Sequence, residues 1–215
     1  MIPAKKFYMI RHGETEANVK RVMAGSLDSP LTENGRNQAK AIQKIVANLE
    51  VKPSAIFHSH LSRARDTAHI INEALNLPIH ENELLAEFHA GDWEGVPYEK
   101  CQSLLTGWDD PPNGETSDEF CARIRKAKHE ILDAHDDPVM IVSHGGVFRG
   151  LGKIYGLNVP GKFPNCHLHE FDPHHQHERF PWKVYRYNHA PEEFKTETDI
   201  YHASEDWIEE NILRA

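Results

Sequence analysis

The sequence predicts an α/β fold built on a parallel sheet. Two observations predict it. Three short apolar runs, Phe7–Ile10, Ala55–Phe57 and Val139–Val142, each end abruptly in polar residues, as strands buried on both faces do. Stripes of apolar residues at three- and four-residue spacing follow them, so strand and helix alternate along the chain.

The first run stops at Arg11-His12-Gly13. Thr32 then caps a helix that carries Ala39, Ile42, Ile45 and Leu49 on one face. The second run follows Pro53-Ser54 and leads into His58-Ser59-His60-Leu61-Ser62-Arg63. Its helix puts Ala64, Ala68, Ile71 and Leu75 in one stripe and stops before Pro78. Residues 88–114, punctuated by Gly and Pro, carry neither period and predict a cap-like excursion over one end of the sheet. Thr116-Ser117-Asp118-Glu119 is a capping-box sequence that opens a third helix, with Phe120, Ile124, Ala127 and Ile131 inward.

The third run follows Asp136-Asp137-Pro138 and leads into Ser143-His144-Gly145-Gly146. A fourth helix starts at Gly145 or Gly146 and runs to about Tyr155, ended by Gly156. Cys166–Phe171 and Trp182–Tyr187 read as strands on either side of a polar turn. From about Ala203 an acidic helix carries Trp207, Ile208 and Leu213. No repeat or linker divides the chain, so residues 1–215 are expected to form one domain, with 188–215 as a C-terminal extension.

Composition narrows the function. A chain with 39% hydrophobic and 27% charged residues can build a core. Its net charge of −9 disfavours nucleic acid and anionic membranes as partners. No apolar run approaches the roughly 20 residues of a membrane span, and the start of the chain lacks a signal-peptide core. The three cysteines, Cys101, Cys121 and Cys166, are far apart and fit no disulfide framework or CxxC site. A cytoplasmic protein is the expectation. Nothing in the sequence sets an oligomeric state.

Sixteen histidines raise the question of metal. His174, His175 and His177 follow Asp172-Pro173, a turn signal between two strands, and read as a polar hairpin turn. A metal site there stays open as the minority reading. His58-x-His60 lacks further ligands at metal spacing and reads the same way.

The chemistry collects at strand ends, where open α/β sheets bind ligands. The first strand offers Arg11 and His12, the second Arg63, and the third His144. Two guanidiniums brought together need an anion between them, and arginine matches phosphate with paired donors. Gly13, Gly145 and Gly146 are expected to let backbone approach that anion, with the helix from Gly145 aiming N–H groups at it. No GxxxxGK[ST] is present, which excludes a P-loop.

"RHGET" followed by Asn18, then "GSLDSPLTENGRNQA", "SHLSRARDTA", "LLAEFHAGDWEG" and "VSHGG", resembles in order the blocks of the histidine phosphatase superfamily, the phosphoglycerate-mutase-like proteins. The matches run from about residue 8 to 150, and "FPNCHL" resembles a further feature more weakly. The resemblance implies a three-layer sandwich with a mostly parallel central sheet and helices on both faces. It implies that His12 is the nucleophile and that Arg11, Arg63 and His144 surround the phosphate. Glu87 is implied as general acid, and Asn18 and the Gly145 backbone as further phosphate donors. Glu83, Glu94 and His89 remain nearby alternatives to Glu87. Arg65, two residues from Arg63, is expected to face solvent or make structural pairs.

These roles agree with elementary chemistry. The attacking nitrogen must be unprotonated, and two neighbouring guanidiniums disfavour an imidazolium. The other ring nitrogen needs a fixed acceptor, and a backbone carbonyl near Gly13 is expected to supply it. Charge stabilisation by arginine removes the need for a metal or other cofactor.

The resemblance covers phosphatases and mutases. A bisphosphate-dependent mutase needs extra cations over its pocket, and the family's mutases carry longer, more basic inserts there. Between Glu87 and Thr116 this chain has one, Lys100, against Asp92, Glu94, Glu99, Asp109, Asp110 and Glu115. A phosphatase for a small-molecule phosphomonoester with a neutral or weakly anionic leaving group is therefore expected. A phosphoglycerate mutase-type phosphotransferase is the alternative, and a non-catalytic phosphate-binding module the less favoured one.

Overall fold

A computed structural model describes residues 1–101, 107–157, 159, 163–174, 180–188, 194–198 and 200–201. Among these, seven strands form one sheet: β1 (Phe7–Arg11), β2 (Ile56–His58), β3 (Ile79–Glu81), β4 (Val139–Ser143), β5 (Leu168–Pro173), β6 (Trp182–Tyr187) and β7 (Lys195–Thr198). The helices are α1 (Glu16–Lys20), α2 (Glu33–Ala47), α3 (Ser62–Asn72), α4 (Ser117–Asp133) and α5 (Gly145–Ile154).

The strand order is β3-β2-β4-β1-β5-β6-β7. β3, β2, β4 and β1 pair in parallel, and β5, β6 and β7 add to β1 as an antiparallel half. The parallel half carries the strand ends at Arg11, His58 and Ser143.

Alternation along each strand feeds two cores. Phe7, Met9, Val139 and Ile141 pack with Phe120, Ile124, Phe148 and Leu151 of α4 and α5 on one face. Tyr8, Ile10, Met140 and Val142 pack with Ala39, Ile42, Ala64 and Ala68 of α2 and α3 on the other. Both faces being covered, the central strands read as continuous apolar runs.

The helix starts follow the sequence signals. Thr32 Oγ1 accepts from the Gly35 N–H at 2.9 Å, and Thr116 and Glu119 form the reciprocal capping box of α4. Three elements carry no sequence signal. β3 and β7 are short edge strands with exposed polar residues, and α1 is a single capped turn.

The described parts of 88–114 form short 3-10 turns, Gly91–Trp93 and Tyr98–Lys100. They pair with the loop after α1: Met23 N–H donates to the Val96 carbonyl, Gly95 N–H to the Met23 carbonyl and Tyr98 N–H to the Arg21 carbonyl. The expected acidic helix after Ala203 and residues 175–177 of the histidine-rich turn lie outside the described residues. Among the described residues, no helix is long and apolar enough to cross a membrane, and no cluster of His, Cys, Asp and Glu could hold a metal.

Candidate active site

His12 is held by three elements. Its N–H donates to the Ser143 carbonyl at 3.0 Å, extending the β1–β4 ladder by one residue. Asn165 Nδ2 donates to its carbonyl at 2.8 Å. The hydroxyl of Thr67 on α3 accepts from the Gly13 N–H at 3.0 Å and donates to the Arg63 carbonyl at 2.7 Å. The ring Nδ1 lies 2.7 Å from the Gly13 carbonyl and must be the donor there, because a carbonyl only accepts. Nε2 therefore carries the lone pair. Burial, and then the charges of Arg11 and Arg63, hold the His12 pKa well below 6.5, against the opposing pull of the Gly13 carbonyl. The ring is therefore held neutral.

Arg11, at the end of β1, donates from Nη1 to the Phe163 carbonyl at 2.6 Å. Arg63, in the first turn of α3, is 1% exposed despite its charge. Its Nη1 donates to the Leu27 carbonyl at 2.8 Å, its Nη2 to the Gly25 carbonyl at 2.7 Å, and its Nε to His144 Nδ1 at 3.2 Å. His144, the N-cap of α5, is fully buried, with its ring centroid 5.2 Å from that of His12. Among the described residues, Arg11 Nε and His144 Nε2 are buried without a hydrogen-bond partner. Buried donors normally have one, so both are suited to an anion beside His12.

Glu87 reaches the same place from the start of the excursion. Its Oε2 accepts from the Gly146 N–H at 3.1 Å and its Oε1 from the Phe88 N–H at 2.9 Å. Arg123 of α4 fixes the segment by donating to the carbonyls of Leu84, Ala86 and Glu87, while Glu115 holds Arg123 at 2.6 Å. The alternatives to Glu87 are placed elsewhere. Glu94 Oε1 accepts from Ser26 and the Ala90 N–H, and Glu83 and His89 are exposed.

Asn18 Oδ1 caps α1 through the Thr15 N–H at 3.2 Å, leaving Nδ2 to point at the Tyr98 hydroxyl at 3.4 Å. Arg11, His12, Asn18, Arg63, Glu87 and Tyr98 line one cleft, together with Met23–Gly25 of the loop that Arg63 holds. Gly145 begins α5 beside the Arg11 guanidinium.

Two of the glycines, Gly13 and Gly146, sit against other protein groups. A Cβ at Gly13 would press on the Gly35 backbone, and one at Gly146 would collide with the Glu87 carboxylate. Their small size makes room for protein groups. Arg65 pairs with Asp66 on the surface, and His58 Nδ1 is engaged by the Ser59 carbonyl at 2.8 Å.

Thr67, Arg123 and Tyr98 carry no signal that sequence reasoning used. The first two act through backbone N–H and carbonyl groups that almost any residue supplies. Thr67 lies four residues after Arg63 on one helix face, and that spacing is the only pointer to it.

The chain is similar to known proteins in sequence and in fold. The family model for the histidine phosphatase superfamily (branch 1) matches residues 7–186. A glucosyl-3-phosphoglycerate phosphatase of Mycobacterium tuberculosis (strain ATCC 25618 / H37Rv) is 33% identical over 166 residues, 69% of this chain and 74% of that protein. The adenosylcobalamin/alpha-ribazole phosphatase of Salmonella typhimurium is 35% identical over 154 residues, 66% of this chain and 75% of that one. Among solved structures, mycobacterial glucosyl-3-phosphoglycerate phosphatase complexed with VO3 superposes with a TM-score of 0.71 at 28% identity, covering 84% of this chain and 97% of that chain.

Proposed function

Because this chain belongs to the histidine phosphatase superfamily, branch 1, we propose that it hydrolyses a small-molecule phosphomonoester through a phosphohistidine on His12, without a metal. One observation carries the reading. The bond from His12 Nδ1–H to the Gly13 carbonyl leaves Nε2 unprotonated in a cleft walled by Arg11 and Arg63.

In the first step the Nε2 lone pair attacks phosphorus and the bond to the leaving oxygen breaks. Protonated Glu87 gives its proton to that oxygen, and the alcohol departs. In the second step the Glu87 carboxylate takes a proton from water as the water oxygen attacks phosphorus. The N–P bond breaks, phosphate leaves, and both residues return to their starting forms. Such proton transfer contributes about 10²–10⁴ in rate.

Charge on the equatorial oxygens is met by the Arg11 and Arg63 guanidiniums, His144 Nε2–H and Asn18 Nδ2. These fixed donors in a shielded site do the work a cation would otherwise do. His144 acts as a neutral donor, because burial and the neighbouring Arg63 keep its pKa well below 6.5.

Hydrolysis of a chromogenic aryl phosphate tests the reading. Activity is expected to survive a chelator and to vanish in His12→Ala. Complete loss on chelation would overturn the metal-independent route. Interconversion of 2- and 3-phosphoglycerate faster than hydrolysis of either would make the chain a mutase.

A further inference from the structure

Arg149 lies one helical turn beyond Gly145 and Gly146 on α5, so the three share a face. A side chain at 145 would meet the Arg11 guanidinium, and one at 146 the Glu87 carboxylate. Helix side chains lean toward the N-terminus, which directs Arg149 at the same end of α5. The Arg149 guanidinium carbon stands 5.1 Å from the centre of the Trp108 ring, and Lys153 Nζ stands 5.5 Å from it. Trp108 in turn packs edge-on against Phe88, the residue next to Glu87, and at a tilt against Phe120. Two cations thus meet one indole beside the carboxylate that serves the leaving group.

Neither cation has an ion-pair partner among the described residues. Burial disfavours the charge on Arg149, and among the described residues Glu87 favours it. In a chain of net charge −9, such a pair stands out. The guanidinium lies within cation–π reach of the ring, and its paired donors suit a carboxylate or phosphate.

We infer that Arg149, seated on Trp108 with Lys153 alongside, forms a subsite for a second anionic group, a carboxylate or phosphate, on the leaving alcohol of the substrate. The inference rests on the phosphatase reading above. It reverses the expectation of a neutral leaving group: the excursion itself holds one cation, Lys100, but α5 brings two more beneath it.

The test compares 3-phosphoglycerate with glycerol 3-phosphate, which differ at one carbon, a carboxylate in the first and a hydroxymethyl in the second. The wild-type kcat/KM is expected to favour 3-phosphoglycerate by about tenfold or more, the scale of a charge-assisted contact. In Arg149→Gln the ratio falls toward one, and in Arg149→Lys part of it returns. Being a ratio within each variant, it is insensitive to a general loss of folded enzyme. A wild-type ratio near one, or a preference that persists in Arg149→Gln, overturns the subsite. Failure of the phosphatase reading shows separately, as aryl phosphate turnover that is absent or that survives in His12→Ala.

Discussion

Arg63 Nε donates a hydrogen bond to His144 Nδ1 across 3.2 Å. The bond occupies the Nδ1 lone pair, so the proton of the neutral ring sits on Nε2, the nitrogen left without a protein partner. One arginine therefore sets the tautomer of the second histidine while its other nitrogens hold the Gly25 and Leu27 carbonyls.

Lysine cannot make that fork. Arg63→Lys is expected to lower kcat/KM for an aryl phosphate by about 10²–10³, the cost of losing a preorganised donor. It should be nearly as impaired as Arg63→Met. A lysine variant close to wild type would show that charge alone is used.

Gly146→Ala places a methyl group where the Glu87 carboxylate now sits. The carboxylate must swing away, so turnover of alkyl phosphates, whose leaving oxygen needs a proton, should drop more than turnover of p-nitrophenyl phosphate. Thermal stability should hold or rise, because alanine in a helix is favoured over glycine by up to about 1 kcal/mol. Equal losses on both substrates would argue against Glu87 as the proton donor.

His12 is held neutral by burial first and by Arg11 and Arg63 second. Its ring should show no protonation step at pH 6.5 when followed by NMR, and the step should appear at clearly lower pH. Arg11→Met removes one of the charges and leaves the burial, so the step should move up part of the way. A wild-type step at or above 6.5 contradicts the assignment.

Lys128 is fully buried on the inner face of α4, its Nζ 2.8 Å from Met9 Sδ and 4.6 Å from the Phe7 ring centre. Burial pushes its pKa down from 10.5 to about 7. Between those values the unfolded chain holds a proton that the folded chain has released. Stability should therefore rise as pH goes from 7 to 10.5, with the full penalty present below 7. Lys128→Met removes the penalty and should stabilise the protein at pH 6 by several kcal/mol, on the order of 3–5 from the size of the shift. Denaturant melts at pH 6 and pH 9 measure it, and a wild-type stability that falls between them counts against the account.

Much of the fold was legible because burial on two faces leaves a plain mark. The apolar runs at Phe7, Ala55 and Val139 became β1, β2 and β4, three adjacent interior strands. The edge strands β3 and β7 were not legible, since half-exposed polar residues such as Lys195–Thr198 resemble any loop. In the site, Arg11, His12, Arg63 and His144 stood out as reactive residue types just past strands. Thr67 and Arg123 did not, because what they hold in the site is backbone: the Gly13 N–H and Arg63 carbonyl for Thr67, and the Leu84, Ala86 and Glu87 carbonyls for Arg123. Arg149 and Lys153 carry no such mark, because their contact with Trp108 exists only in the fold.

By itself the sequence determined that an α/β sheet would gather two arginines and two histidines at one edge. Apolar periodicity and the chemistry of strand ends are local properties of the chain. Only the tertiary structure decided that Glu87, and neither Glu83 nor Glu94, meets α5. It also decided which nitrogen of each histidine carries the proton, and that α5 sets Arg149 and Lys153 against one indole, that of Trp108. Those choices depend on the direction of hydrogen bonds between groups as far apart in the chain as Arg63 and His144, and residue order does not encode that direction until the chain has folded.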